Sequence, residues 1–377
     1  MANYSVIDAD GHLIEQTDLL RSYLRPPYDK RSGPLFHGEP WDGHLQGTLP
    51  ANRDWCRRDL RAPDWLQIMD KHNMELAFLY STGAGDVSRV REPGYALALC
   101  RAYNDYVHDH WAKVSDRLKP VALFPQQDPP EAAKEIRRAV KELGCVGAST
   151  KTVGLQLPLG HRFYDPIYKE AQDLGCVIGV HGTRNGAHEL GAGMFDTFAE
   201  VHTVAFPVGI FQQFTSMIFQ GVLERFPKLP VAFLEIGCTW LPYWLDRMDE
   251  HWEKRGKIET PDLKRPPSEC VRDRPVYFSV ESGEKLIPET LKYVGEEHFV
   301  FASDIPHWDN EFPENLHKLM EREDISSSAK EKILSKNARV MYNLERELLA
   351  LLWRERETLR RIKWRRTVSK RWIQTCT

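Results

Sequence analysis

Short runs in which almost every residue is apolar alternate along this chain with longer stretches in which apolar residues recur every three or four positions. The first kind reads as strands and the second as amphipathic helices. Strands are predicted at residues 4–7, 76–80, 118–124, 145–148, 176–182, 229–235, 276–280 and 299–304. Helices are predicted at 65–73, 95–114, 130–143, 164–174, 206–226, 241–252, 284–294 and 325–344. Gly144 and Gly175 stand where two of these helices should stop, and Pro230 opens a strand, where a missing N–H is tolerated. The run from Cys176 to Gly182 is apolar at both parities, so both of its faces are buried, as in a parallel sheet. Eight strands alternating with helices predict a closed (β/α)8 TIM barrel over residues 1–344. An open dinucleotide-binding sheet loses its main support, because no Gly-x-Gly-x-x-Gly follows the first strand.

Two stretches break the alternation. Residues 25–62, rich in Pro, Gly, Trp and charge, form an inserted loop region of the kind that serves as a lid, binding loop or subunit contact. Specificity residues are expected there; His37, Trp41, His44 and Trp55 could face a substrate, with surface packing as the alternative. Residues 345–377 interleave Arg and Lys with Leu352, Trp353, Leu359, Trp364 and Trp372, which reads as a basic helical extension. Those large apolar side chains need cover, so an arm onto a second subunit of a homodimer or homotetramer is preferred to a basic patch for an acidic partner.

Composition narrows the class. With 42% hydrophobic residues among 377, the chain can bury a large core. A net charge of −3 gives the whole molecule no attraction for nucleic acid or an anionic membrane. The seven cysteines are scattered and form no Cys-x-x-Cys pair, a pattern of reduced thiols in the cytoplasm. No basic-then-apolar leader precedes the first strand, and no apolar run approaches the roughly 20 residues that span a bilayer. A soluble cytoplasmic enzyme acting on a small molecule is the expectation.

Candidate chemistry lies where strands end, because in a parallel barrel all strands end on one face. In Ile7-Asp8-Ala9-Asp10-Gly11-His12 an extended backbone puts Asp8, Asp10 and His12 on one side. His181 closes the fifth predicted strand, Glu235 the sixth and Asp304 the eighth. Asp10, His12, His181 and Asp304 together offer two imidazoles and two carboxylates, a donor set for one divalent Zn, Mn or Fe ion, with Glu235 beside it. Each residue also has a plainer reading: Asp10 capping a turn, His181 as a core histidine, Asp304 capping the turn at Pro306, Glu235 paired with Arg247. Those readings weaken jointly, since they must explain four polar strand ends on the same face. Asp8 is expected to be structural and Glu15 to stand at most behind the ligands. Arg184 and His188, on the loop after His181, could hold a substrate carboxylate or face solvent, and His307 could line the pocket or sit in a turn.

The segments Ile7-Asp8-Ala9-Asp10-Gly11-His12, Val180-His181-Gly182, Glu224-Arg225-Phe226-Pro227-Lys228-Leu229 and Phe301-Ala302-Ser303-Asp304-Ile305-Pro306-His307 resemble the amidohydrolase superfamily. More narrowly, they are similar to the amidohydrolase-related branch that contains aminocarboxymuconate semialdehyde, resorcylate and carboxyvanillate decarboxylases. The resemblance implies metal ligation by Asp10, His12, His181 and Asp304, and non-oxidative decarboxylation of a small aromatic or unsaturated carboxylic acid with Asp304 or Glu235 as the acid. There are two departures: Asp10 stands where many members have the first histidine of His-x-His, and Glu235 stands where the decarboxylases often have a histidine. A hydrolase acting through a bound water of pKa ~7 is the second reading. A metal-binding barrel without catalysis is the third.

Overall fold

The computed structural model describes residues 4–36, 60–183 and 186–344. Eight strands run in the order β1 (Val6–Leu13), β2 (Met74–Ser81), β3 (Leu118–Leu123), β4 (Gly147–Lys151), β5 (Val177–His181), β6 (Val231–Leu234), β7 (Val276–Val280) and β8 (Phe299–Phe301). Each pairs in parallel with its successor. The seam between β8 and β1 is drawn together just past the strand: Asp304 N donates to Asp10 O at 3.2 Å and His12 N to Ile305 O at 2.7 Å. The expected (β/α)8 architecture is therefore present, with helices between the strands.

Differences from expectation fall at element ends and have local causes. β1 extends past Ile7 to Leu13 because Asp8, Asp10 and His12 are buried rather than turned out. β4 lies at Gly147–Lys151 instead of 145–148; its polar Ser149, Thr150 and Lys151 are buried at the barrel mouth, where polarity does not mean surface. The helix predicted at 206–226 starts at Phe198, where Thr197 and Glu200 form a reciprocal capping box, and stops at Phe219. Gly221 then takes φ 66°, a left-handed conformation that separates the helix from the short turn Val222–Arg225. Helices Pro267–Asp273 and Glu314–Glu321 were not anticipated.

The barrel interior is filled by Ile7, Ala9, Phe78, Tyr80, Val121, Val177, Ala232, Leu234 and Val300. Its lower end is plugged by Ala338, Met341 and Tyr342 from the closing helical segment. Tyr342 stacks on Phe78 with ring centroids 3.5 Å apart, and its hydroxyl lies 2.9 Å from both Ala9 O and the Tyr80 hydroxyl. Parts of the outlying regions lie outside the described residues, among them His37, Trp41, His44, Trp55 and the whole 345–377 extension. Within the inserted region, Tyr28–Lys30 forms one short helical turn. Cys100, Cys145, Cys176, Cys238 and Cys270 are buried and free. Among the described residues no helix is long and apolar enough to cross a membrane.

Candidate metal centre

Four side chains from three strand ends meet at the upper mouth of the barrel. His12 Nε2 lies 3.2 Å from His181 Nε2, 3.3 Å from Asp304 Oδ1 and 3.6 Å from Asp10 Oδ1; His181 Nε2 is 3.3 Å from the same Asp10 oxygen. Donor atoms held about 2.1 Å from one tetrahedral ion would stand about 3.4 Å apart; the Asp10, His12 and His181 atoms fit one such cation, and Asp304 adjoins them through His12. Asp10 Oδ1 is buried without a well-formed hydrogen bond. Burial is usually accompanied by a partner, and an acceptor left bare among two imidazoles is one that a positive ion would satisfy.

Electrostatics agree with the geometry. Burial pushes the Asp10 carboxyl up, opposed by the His181 imidazole. Burial, then His307 and His181, hold His12 well below the usual histidine range, which leaves it neutral with a lone pair to give. His181 behaves oppositely: burial lowers it, but Glu235 and Asp10 bring it up to about 9. The same carboxylates that draw a proton to His181 would draw a metal cation.

Local structure explains why the chain can place these groups. Gly11 carries no side chain because a Cβ there would sit 2.7 Å from both the Trp65 ring and Asp8 Oδ2. Asp8 accepts from Ser303 N at 2.9 Å and from Ser303 Oγ at 2.5 Å, so the residue before Asp304 is fastened to β1. Glu235 and Asp304 both take left-handed backbone conformations, with φ 76° and 55°. For residues other than glycine that costs of order 1–3 kcal/mol each, and such strain concentrates where side chains must be aimed.

Around the four donors is a charged ring. Glu235 Oε2 lies 2.9 Å from His181 Nδ1 and its Oε1 lies 3.4 Å from His307 Nδ1. His307 Nδ1 is 2.6 Å from Asp304 Oδ1, and its Nε2 is 3.2 Å from Thr82 Oγ1. Burial pushes Asp304 up to about 7, partly offset by His307. Burial likewise opposes Glu235 and His307, but the opposite charges win: His181 first holds Glu235 well below the carboxylate range, and Asp304 first holds His307 well above the histidine range. Lys151 Nζ is 3.0 Å from His181 Nδ1. A cavity of about 340 Å³ opens beside Glu235 and Asp304, walled by Phe206, His202, Glu281 and Asp309.

An amidohydrolase family model matches residues 7–344. The chain belongs to this family. A gamma-resorcylate decarboxylase of Rhodococcus jostii is 28% identical over 308 residues, 74% of this chain and 87% of the relative. The structure of 5-carboxyvanillate decarboxylase from Novosphingobium aromaticivorans, complexed with manganese and 4-hydroxy-3-methoxy-5-nitrobenzoic acid, superimposes with a TM-score of 0.73 at 21% identity, covering 90% of this chain and 96% of that one. A dihydroxybenzoic acid decarboxylase from Polaromonas with bound manganese and 2-nitroresorcinol gives 0.69 at 21% identity, covering 91% and 98%.

In this amidohydrolase Asp10, His12, His181, Asp304, Glu235 and His307 are all brought into one cluster. Glu235 pairs with histidines and not with Arg247. His188 is exposed on its loop, with its ring against Gly193, and does not line the cavity. Arg184 lies outside the described residues. Sequence reasoning passed over Lys151 and Glu281. Glu281 directly follows the apolar strand β7, whereas Lys151 closes the polar end of β4 and was hidden by the misplaced end of that strand. Glu15, expected behind the ligands, accepts from Gly83 N at 2.9 Å and Ala84 N at 3.2 Å and so holds the loop after β2.

Proposed function

We propose that this amidohydrolase is a metal-dependent non-oxidative decarboxylase of a small aromatic carboxylic acid, its ion held by Asp10, His12, His181 and Asp304. The observation that carries the reading is the convergence of the Asp10, His12 and His181 donor atoms around the bare Asp10 oxygen, with Asp304 Oδ1 3.3 Å from His12 Nε2. Decarboxylase names among relatives of comparable length select this chemistry over hydrolysis. A bound divalent ion, manganese or zinc, would supply Lewis acidity and an anchor for substrate oxygens.

The chain's own groups divide the remaining work. Asp304, whose carboxyl burial pushes up, is the general acid. It delivers a proton to the ring carbon bearing the carboxylate; the carbon–carbon bond then breaks, its electron pair stays on the ring, and CO2 leaves without oxidation or reduction. His307, 2.6 Å from Asp304 Oδ1, is placed to return the proton. Glu235 stays ionised between His181 and His307 and orients both, which is how this chain would work without a histidine at that position. Arg184 is assigned to the substrate carboxylate; His188, exposed and outside the cavity, is not. A cytoplasmic homo-oligomer joined through the 345–377 arm completes the proposal.

The test is metal analysis of the purified protein followed by a screen of hydroxybenzoates and muconate-like acids for CO2 release, with Asp304→Asn as control. One transition metal per chain and CO2 lost from at least one acid are expected. A protein without stoichiometric metal, or acid and alcohol products without CO2, would overturn the reading.

A further inference from the structure

One face of the helix Phe198–Phe219 carries a file of rings. Phe198, His202 and Phe206 follow one another at the four-residue spacing that puts side chains on the same face. The His202 ring centroid lies 5.2 Å from that of Phe198 and 4.5 Å from that of Phe206, with planes tilted by 36° and 37°. This is not the face that packs on the interior. Val201 and Ala205, one position earlier in each turn, are buried against Val153, Leu190 and Ala192. The three rings are only half-buried, and His202 and Phe206 line the cavity beside the metal centre. Both ends of the file are fixed. At the inner end a Cβ on Gly182 would stand 2.8 Å from Phe206 Cδ1 and 3.4 Å from Glu235 Oε2, so the glycine after His181 leaves the room that the ring takes up. At the outer end Trp308 meets Phe198 and His202 edge-on at 5.5 and 5.7 Å, and Asp309 Oδ2 lies 3.6 Å from His202 Nε2.

We infer that the acid decarboxylated here carries two aromatic rings, fused or linked, with the carboxylate-bearing ring against Phe206 at the metal centre and the second ring against His202. The inference rests on the decarboxylase reading and names the substrate class for the same site. Spacing supports it. Four helical residues rise about 6 Å, so Phe206 and His202 offer two stacking places in file, and a single ring would fill only the inner one. The cavity volume of about 340 Å³ lies within the range of roughly 300–1,000 Å³ that encloses drug-sized molecules, more than one hydroxybenzoate needs. Pro207 and Ile236, next in sequence to Phe206 and Glu235, add apolar surface to the wall, and Thr203 and Asp309 add polar surface beside His202. A flat aromatic group suits the outer place better than a saturated one of the same size, because the negative face of one ring attracts the positive edge of another.

The experiment measures calorimetric binding of four acids to the manganese-loaded protein: 2-hydroxybenzoate, 3-hydroxy-2-naphthoate, 2-hydroxy-4-phenylbenzoate and 4-cyclohexyl-2-hydroxybenzoate. The same series is run on His202→Ala and His202→Phe, with thermal melts and manganese stoichiometry measured on all three proteins. At least one two-ring aromatic acid is expected to bind the unaltered protein about tenfold or more tightly than 2-hydroxybenzoate, and the phenyl compound more tightly than the cyclohexyl one. That ratio of two-ring to one-ring affinity should fall to within about threefold in His202→Ala and be kept in His202→Phe, which restores a ring without the pairing to Asp309. The phenyl–cyclohexyl comparison needs no variant, so it decides even if His202→Ala does not fold. Equal binding of one- and two-ring acids, an equal or larger gain from cyclohexyl, or a ratio unchanged in folded His202→Ala overturns the two-ring class and leaves the decarboxylase reading standing. Failure of all four acids to bind the loaded protein overturns both.

Discussion

The two ends of the barrel are built from the same eight strands and bury their side chains equally well, yet they are opposites. The lower end is closed by Tyr342, Met341 and Ala338, a stacked apolar plug whose one hydroxyl is satisfied by Tyr80 and Ala9. The upper end buries Asp10, His12, Lys151 and His181, leaves Asp10 Oδ1 without a well-formed hydrogen bond, and holds Glu235 and Asp304 in left-handed backbone. Packing at the bottom can be as favourable as any core. At the top, desolvated charge and backbone strain are tolerated because stability is supplied elsewhere. Stability and chemistry are thus separated along the barrel axis, and they should separate under mutation.

The sharpest break is Asp304→Asn, which should lower CO2 release by about 10³-fold or more while leaving the melting temperature of the metal-free protein unchanged or higher. Steady-state kinetics and thermal melts on the same sample check both halves. Tyr342→Ala should do the reverse, losing about 3–5 kcal/mol in denaturant unfolding with turnover per folded molecule kept within about twofold. Asp8→Ala lies between, because Asp8 touches no reacting group but fastens Ser303. Metal affinity should fall about 10- to 100-fold by equilibrium dialysis, with a smaller loss of stability than at Tyr342. If Asp8→Ala left affinity unchanged, the clamp would be ordinary packing.

The smallest effect is in pH. Asp304 is raised from 3.8 to about 7 in the folded chain, so the fold keeps a proton that the unfolded chain has given up. That contribution to stability is fully present below about pH 4 and is lost as pH rises through 7. In metal-free protein the melting temperature should therefore decline across this window more steeply than in Asp304→Asn, by a few degrees at most; equal slopes would remove Asp304 from the account.

How far this could be seen in the chain depended on the distance over which each feature is specified. Asp10, His12, His181 and Asp304 were legible because each closes an apolar run, and the parallel-barrel rule brings such ends to one face. Lys151 escaped because the three polar residues that end β4 look like a loop when burial is unknown. Glu281 escaped although it follows Val276–Val280 directly, since no second residue nearby pointed to a shared site. The Asp8 clamp on Ser303 and the seating of Tyr342 beneath Ala9 join residues about 300 positions apart, and no local pattern encodes such pairs. The departure at Glu235 was visible, but its meaning required the two histidines on either side of it.

The seam fastened by Asp8, Asp10 and His12 to residues 303–305 joins the beginning of the chain to its last strand. On the proposed ligation, about 290 residues are synthesised between His12 and Asp304 before the set of ligands is complete. A nascent or truncated barrel would therefore bind its ion with an incomplete set of ligands. Metal content then becomes a measure of how many molecules in a preparation have finished closing, independent of whether any substrate is known.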